Sequence, residues 1–276
     1  MGGQRLDTAL VARGLARSRT HAVRLIADQR VRVAGATARK PATPVDDATD
    51  LTVDPGDDWA SRGAHKLIGA LDAFGVHVTG RRALDAGASH GGFTDVLLQR
   101  GASAVAAVDV GTGQLVPRLG ADERVHVYDH TNIRDLDPAS AQRIAADLGG
   151  AADVVVADLS FISLTLVLPN LLALAVQDPG PAGADVLPMV KPQFEVGKGR
   201  LGAHGVVHDP ALRQQTVTAV ASVAASAGWG VVAVAPSPLP GPSGNVEYFL
   251  HLRKDAPIDD DRTRRLVRRA VEGGPR

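Results

Sequence analysis

The chain has no cysteine among its 276 residues, and that one absence removes several kinds of chemistry. Disulfides, thiolate metal centres, iron–sulfur clusters and covalent thiol catalysis are all excluded. Aromatic side chains are scarce, at 3%. The 45% apolar content must therefore build its core from Ala, Val and Leu, as small-residue α/β packing allows. No run approaches the ~18 apolar residues of a spanning helix. The first twenty residues carry Arg5, Arg13, Arg17 and Arg19 with no continuous apolar stretch, which predicts no secretory leader, a cytoplasmic protein and no stable membrane association. The nine histidines fall into no ligand spacing, so no metal site is expected.

The length exceeds the usual single domain and predicts two, or one with an appendage. Charge is balanced overall but unevenly spread. Residues 1–45 hold nine basic groups against Asp7 and Asp28, a charge of +7, which leaves −7 on the remainder. A basic head on an acidic body points to a polyanion partner at the head. Residues 46–58 contain six aspartates and no base, with Pro55 and Gly56, and read as a linker. The arginine-rich end (Arg262, Arg264, Arg265, Arg268, Arg269) predicts a helical tail over 257–276. It reads as a solvated face, with phosphate contacts as the alternative.

Within the head, Leu6, Ala9 and Leu10 fall at helical spacing, as do Ala22, Leu25 and Ile26, while RVRVAG at 30–35 alternates like a half-buried strand. Helix, helix and small sheet in so few residues leave no candidate nucleophile, so binding is its expected job. The stretch RLDTALVARGLARSRTHAVRLIADQRVRVAG resembles the αL RNA-binding domain first described in a ribosomal protein. By that resemblance Arg5, Arg17, Arg19, Arg24 and Lys40 are the residues expected to meet RNA phosphates, contacts that position without reading sequence.

The second part is organised around RRALDAGASHGGFT, residues 81–94. An apolar run ends in a carboxylate, and a glycine-rich turn opens into a helix, as in nucleotide-cradling α/β units. Ser89 stands where a pyrophosphate-binding loop would want its second glycine. That favours a cofactor without phosphates, S-adenosylmethionine first. The expected cofactor contacts are Asp85, Gly87, Ser89, Gly91, Gly92, Phe93 and Asp109. Asp109 lies 17 residues beyond Gly92, where an acid commonly takes ribose hydroxyls.

Apolar runs at 82–86, 104–111, 125–129, 152–161 and 184–192 alternate with helical segments, and two more strands follow at 229–236 and 245–252. A short Pro/Gly loop joins the last two, so the final strand must run antiparallel. This is the seven-stranded, Rossmann-like pattern of class I methyltransferases, an α/β fold whose ligands bind beyond the carboxyl ends of the strands. Asp85, Asp109, Asp158 and Lys191 all fall at such ends.

LDAGASHGGFT, VVADLSFISL, VKPQFEVGKG, GVVHDP and SPLPGPSGNVEYFL together resemble the TlyA family, ribosomal RNA 2′-O-methyltransferases long carried as hemolysins. Their catalytic domain resembles the FtsJ/RrmJ-type ribose methyltransferases. The resemblance implies an RNA-binding domain and linker at 1–58, a methyltransferase domain at 59–256, and S-adenosylmethionine as cofactor. It also implies a Lys-Asp-Lys-Glu tetrad, here Lys66, Asp158, Lys191 and Glu247, and cytidine riboses of ribosomal RNA as substrate. Elementary chemistry agrees. A ribose hydroxyl is a poor nucleophile and needs a base or strong orientation, which Lys191 would supply, with Asp158 and Glu247 holding the lysines. Neighbouring lysines would disfavour each other's proton. Methylation at cytosine C5 needs a thiol that is absent, and the slot where amino-methylating enzymes carry Asn/Asp-Pro-Pro-Tyr/Phe reads Asp158-Leu-Ser-Phe161. The chain departs from the family pattern at His90, Thr112 and His204, and residues 196–205 read as a lid or a plain surface loop. Two other readings stay open: a pore-forming hemolysin, for which the sequence offers no spanning segment, and an RNA-binding protein without catalysis.

Overall fold

The computed structural model describes residues 3–16, 18–54, 59–180, 183–201 and 205–274, the side chains of Arg24 and Lys198 excepted. Arg17, His204 and linker residues 55–58 therefore lie outside the described residues. The chain divides into two compact units, Met1–Asp58 and Trp59–Arg276.

In the first unit β1 (Gln4–Arg5), α1 (Leu6–Ala12), α2 (Arg19–Ala27), β2 (Val31–Val33), β3 (Ala36–Thr37), β4 (Pro44–Val45) and β5 (Leu51–Val53) follow in order. Leu6, Ala9 and Leu10 of α1 meet Ala22, Leu25 and Ile26 of α2 and Val31 of β2 in a small core. Helical spacing puts each trio on one face. β2 lies between β3 and β5, antiparallel to both. The segment after Gly35 supplies β3 and then β4, which pairs with β1.

The second unit opens with α3 (Gly63–Phe74) and continues β6 (Arg82–Ala86), α4 (Gly92–Gln99), β7 (Ala104–Val108), α5 (Pro117–Gly120), β8 (Val125–Tyr128), α6 (Pro138–Leu148), β9 (Val154–Ala157) and α7 (Leu164–Leu174). It closes with β10 (Asp185–Val190), α8 (Pro192–Glu195), α9 (Pro210–Ser226), β11 (Gly230–Pro236), β12 (Tyr248–Arg253) and α10 (Asp260–Gly273). One seven-stranded sheet runs β11-β12-β10-β9-β6-β7-β8. β8, β7, β6, β9 and β10 are parallel, and β12 is antiparallel to both its neighbours. Val154–Val156 and Val186–Val190 read as unbroken apolar runs because helices cover both faces of the sheet. Alternate residues feed two cores. Leu84, Val155 and Leu250 join α6, α7, α9 and α10 on one side, while Val105, Val156 and Phe249 join α3 and α4 on the other.

The separate tail expected at 257–276 is instead the last helix of the second unit. Val267, Ala270 and Val271 give α10 an apolar face that enters the main core, and the Asp259 side chain accepts from Arg262 N at 2.9 Å to cap it. Of the arginines read as a solvated face, Arg264, Arg265, Arg268 and Arg269 do line its outside, while Arg262 is half-buried.

At the amino ends of the parallel strands Asp185 gathers three basic side chains. Its carboxylate meets Arg81 Nη1 at 2.6 Å, His251 Nε2 at 2.6 Å and Arg253 Nη1 at 3.1 Å, and the His251 ring stacks on Phe74. Burial alone would raise the Asp185 carboxyl, but hydrogen bonds from His251 and Arg81 outweigh it and hold the group well below the usual carboxylate range. Such a carboxyl contributes stability that is present above its unfolded value of about 3.9 and lost as pH falls toward the folded value. Asp185→Asn is expected to cost about 1–3 kcal/mol at pH 7 by leaving the partly buried Arg81 and Arg253 and the buried His251 without their shared acceptor. It should also flatten the loss of stability below about pH 4, both read from urea unfolding over a pH series.

Candidate active site

The cradle forms where β6 gives way to α4. Gly87 N and Ala88 N both donate to Val108 O, at 2.8 and 3.2 Å, which folds the loop back across β7. Gly87 takes φ +86°, and a Cβ there would lie 2.6 Å from the Asp158 carbonyl oxygen, so only glycine lets the loop pass the end of β9. Ser89 also has positive φ, +47°, a conformation that persists in a non-glycine residue only where its surroundings enforce it. Here its N–H donates to Asp109 Oδ2 at 2.8 Å and its hydroxyl to Gln114 Oε1 at 3.0 Å. Asp109 also accepts from Gly111 N at 2.7 Å, so the carboxylate is fixed just beyond β7 with lone pairs to spare.

Asp85 is fully buried. Its Oδ2 accepts from the Thr94 hydroxyl at 2.7 Å, and its Oδ1 has no partner among the described residues. Burial pushes the carboxyl up to about 7, the Thr94 bond opposing and the Asp158 and Asp109 carboxylates adding to the rise.

Two expected cofactor contacts serve packing instead. Phe93 is 4% exposed and its ring tilts against Phe249 in the core, so its side chain is not offered to a ligand. A side chain at Gly92 would strike Ser61 and the start of α3, which makes this glycine a seat for one helix on another. At Gly91, φ +94°, a side chain would run into Leu115; this residue turns the chain into α4.

Beside the cradle stand two lysine–carboxylate pairs. Asp158 follows β9 and Lys191 follows β10, and register places both at the same rim. Lys191 Nζ lies 2.6 Å from Asp158 Oδ1 and donates to Ser160 Oγ at 2.8 Å. Lys66, on the second turn of α3, meets Glu247 Oε2 at 2.6 Å. Gln193 Nε2 reaches Glu247 Oε1 in a longer bond of 3.4 Å. Glu247 is 1% exposed, and a Cβ on Gly241 would fall 2.6 Å from its Oε1, so that glycine leaves room for the carboxylate. Each lysine has a carboxylate of its own, Asp158 for Lys191 and Glu247 for Lys66.

Phe161 was read only as evidence against amino-methylation. It is 92% exposed with φ +65°, lies tilted against Phe194 with centroids 5.3 Å apart, and so holds an apolar surface open beside Lys191. An aromatic closing the strand-end slot Asp158-Leu-Ser-Phe161 was the available signal. Asn245 was also missed. Only 2% exposed, it accepts from Val207 N at 2.9 Å and donates to Gly205 O at 3.0 Å, tying the end of the 196–205 loop to the segment that leads through Glu247 into β12. His90 is exposed, with Nδ1 3.1 Å from Ser89 Oγ, and Thr112 Oγ1 lies 2.6 Å from His130 Nε2.

In the first unit Arg5 Nε and Arg19 Nη2 both reach the buried Asp7 carboxylate at 3.0 Å while keeping exposed side chains. Lys40 is exposed. Arg24 lies on α2, its side chain outside the described residues, as is all of Arg17.

The place of β12, antiparallel between β10 and β11, separates this sheet from wholly parallel doubly wound folds and makes the second unit a class I methyltransferase domain. The chain belongs to the FtsJ-like methyltransferase family, whose model matches residues 59–254, and to its TlyA branch. An S4 domain model matches residues 4–51. Over 98% of its length, and 98% of the relative's, it is 55% identical to the 16S/23S rRNA (cytidine-2′-O)-methyltransferase TlyA of Mycobacterium tuberculosis. It is 33% identical to Hemolysin A of Brachyspira hyodysenteriae, over 90% of this chain and 98% of that one. A solved structure from Streptococcus thermophilus, labelled a hemolysin, is similar at a TM-score of 0.71 and 35% identity, covering 99% of this chain and 97% of that one.

The raised Asp85 carboxyl makes a pH-dependent contribution. A folded value near 7 against an ordinary 3.8 gives stability that is complete in acid and lost as pH rises toward 7. Asp85→Asn, neutral at every pH, is expected to abolish that decline and leave the variant relatively more stable at pH 8 than at pH 5. Urea midpoints across the range test it.

Proposed function

We propose that this protein transfers the methyl group of S-adenosylmethionine to the ribose 2′-hydroxyl of cytidine in ribosomal RNA of the small subunit, the large subunit or both. The observation that carries the reading is the pairing of Lys191 with Asp158 and of Lys66 with Glu247 at the rim beside the cradle. The residues fit the cofactor. The loop 85–94 has no Lys or Arg to neutralise phosphates, which suits a nucleoside bearing a sulfonium. Asp109 has acceptors left for ribose hydroxyls, and Val110, 66% exposed beside it, offers an apolar surface to a base. Bound there, the cofactor supplies an electrophilic methyl group. Asp85, Gly87, Ser89 and Gly91 shape the cradle.

Lys191 orients the attacking oxygen by donating to it, in place of its bond to Ser160. The proton leaves the hydroxyl through Asp158, which is the more exposed member of the pair. Lys66, Glu247 and Gln193 hold the far side of the site. Fixing both reactants in line supplies much of the rate. The exposed Phe161 ring suits a base drawn out of its stack, the usual way a protein reaches single nucleotides in RNA. The first unit binds RNA phosphates through Arg5, Arg17, Arg19, Arg24 and Lys40, and the bonds to Asp7 preset Arg5 and Arg19 for that role. Among the described residues no helix is long and apolar enough to cross a membrane.

Tritium transfer from labelled S-adenosylmethionine to purified ribosomal subunits should show activity, and the product should resist alkali at the modified nucleotide. Alkaline cleavage there would place the methyl group elsewhere than O2′. Lys191→Ala is expected to lower kcat by about a hundredfold or more with cofactor affinity unchanged by calorimetry. Transfer at the wild-type rate would remove Lys191 from the mechanism.

A further inference from the structure

The described surface carries one strongly charged stripe that the site does not use. The outer face of α10 presents Arg264, Arg265, Arg268 and Arg269, all exposed, while Leu266, Val267, Ala270 and Val271 face inward. Arg262 turns away from this stripe and donates to the carbonyls of Val231 and Val232 on edge strand β11, which is ample structural work. Arg264 pairs with Asp261 at 2.7 Å. Arg265, Arg268 and Arg269 hold no salt bridge among the described residues.

Their direction is informative. α10 begins beside Val231 and Val232, at the base of the sheet. It ends at Gly274, where a Cβ would lie 3.2 Å from Pro236 Cβ. Pro236 pairs with Tyr248, the neighbour of Glu247. The helix therefore climbs about 20 Å along the sheet edge, from base to catalytic rim. Three of its acids, Asp259, Asp260 and Asp261, stand at the base, its arginines follow toward the rim, and a single acid, Glu272, stands beyond them. This is sorting rather than a generally basic unit, since residues 59–276 carry 21 bases against 22 acids. Unpaired guanidinium groups in a row meet phosphates well. A lipid surface fits poorly, because a membrane-bound amphipathic helix must insert its apolar face, and here that face is buried in the core.

We propose that Arg265, Arg268 and Arg269 on α10 form a phosphate-binding track that holds the substrate RNA backbone at the β11 edge of the methyltransferase unit, separate from the basic head. The inference rests on the ribosomal RNA reading above. The triple substitution R265Q/R268Q/R269Q leaves the core, cradle and tetrad untouched. Binding to purified ribosomal subunits is measured from 50 to 300 mM salt, alongside steady-state methylation. Each lost phosphate contact reduces the slope of log K against log salt by about 0.7–0.9, so the triple variant should show a slope shallower by about 2. KM for subunits should rise, with kcat at saturating subunits and cofactor affinity retained. An unchanged slope with unchanged KM overturns the track. So does weakened binding to phosphatidylglycerol vesicles with subunit binding intact, which would make the stripe a lipid-facing surface. A wild-type protein that methylates neither subunit would instead overturn the parent reading, so the two failures are distinguishable.

Discussion

The site depends on one pairing register. Val190 stands opposite Tyr248 and Met189 opposite Phe249 in the antiparallel contact of β10 with β12. One residue beyond that register on either strand come Lys191 and Glu247. A slip of one residue would turn every side chain of β12 to the opposite face, sending Phe249 out of one core and Glu247 away from Lys66. The register is held by what it buries: Tyr248, Phe249, Leu250 and Leu252 are each fully covered. The geometry of the lysine–carboxylate pairs and the packing of the core are thus set by the same hydrogen-bonded ladder, and residues 181 positions apart meet at 2.6 Å without a flexible loop between either of them and its element.

What could be read from the sequence was whatever leaves a trace within one element. Buried parallel strands read as apolar runs, each closed by a charged residue, so the sheet, its antiparallel end and the strand-end groups Asp85, Asp109, Asp158 and Lys191 were all legible. Partnership across elements was not. Phe93 lies in the glycine-rich stretch, yet its ring faces Phe249, more than 150 positions on. Gly92 looks like a ligand-approach glycine but makes room for Ser61. The last helix looks like a tail because arginine dominates its composition, while four smaller apolar residues anchor it. The exposure of Phe161 was not legible, since an exposed aromatic on strained backbone follows no hydrophobic period.

The two units use charge in different ways. Asp7 gathers Arg5 and Arg19 in a small core that has little apolar surface to spare, so its cations are held in place and still reach solvent. Asp185 gathers Arg81, His251 and Arg253 at the base of the sheet, where their donors are spent on carbonyls and carboxylates within the unit. The first arrangement leaves positive charge outward; the second consumes it.

The central place of β12 sets a timetable. Five parallel strands can pair as they leave the ribosome, and the cradle between β6 and α4 is finished early in the chain. β12 must then enter between β10 and β11, two strands made before it, and such long-range pairing is slow to form. Lys66 waits through most of synthesis for its carboxylate. A nascent chain can therefore close its glycine-rich loop while the pair of Lys66 and Glu247 is still missing, and the rim is complete only as the final strand docks.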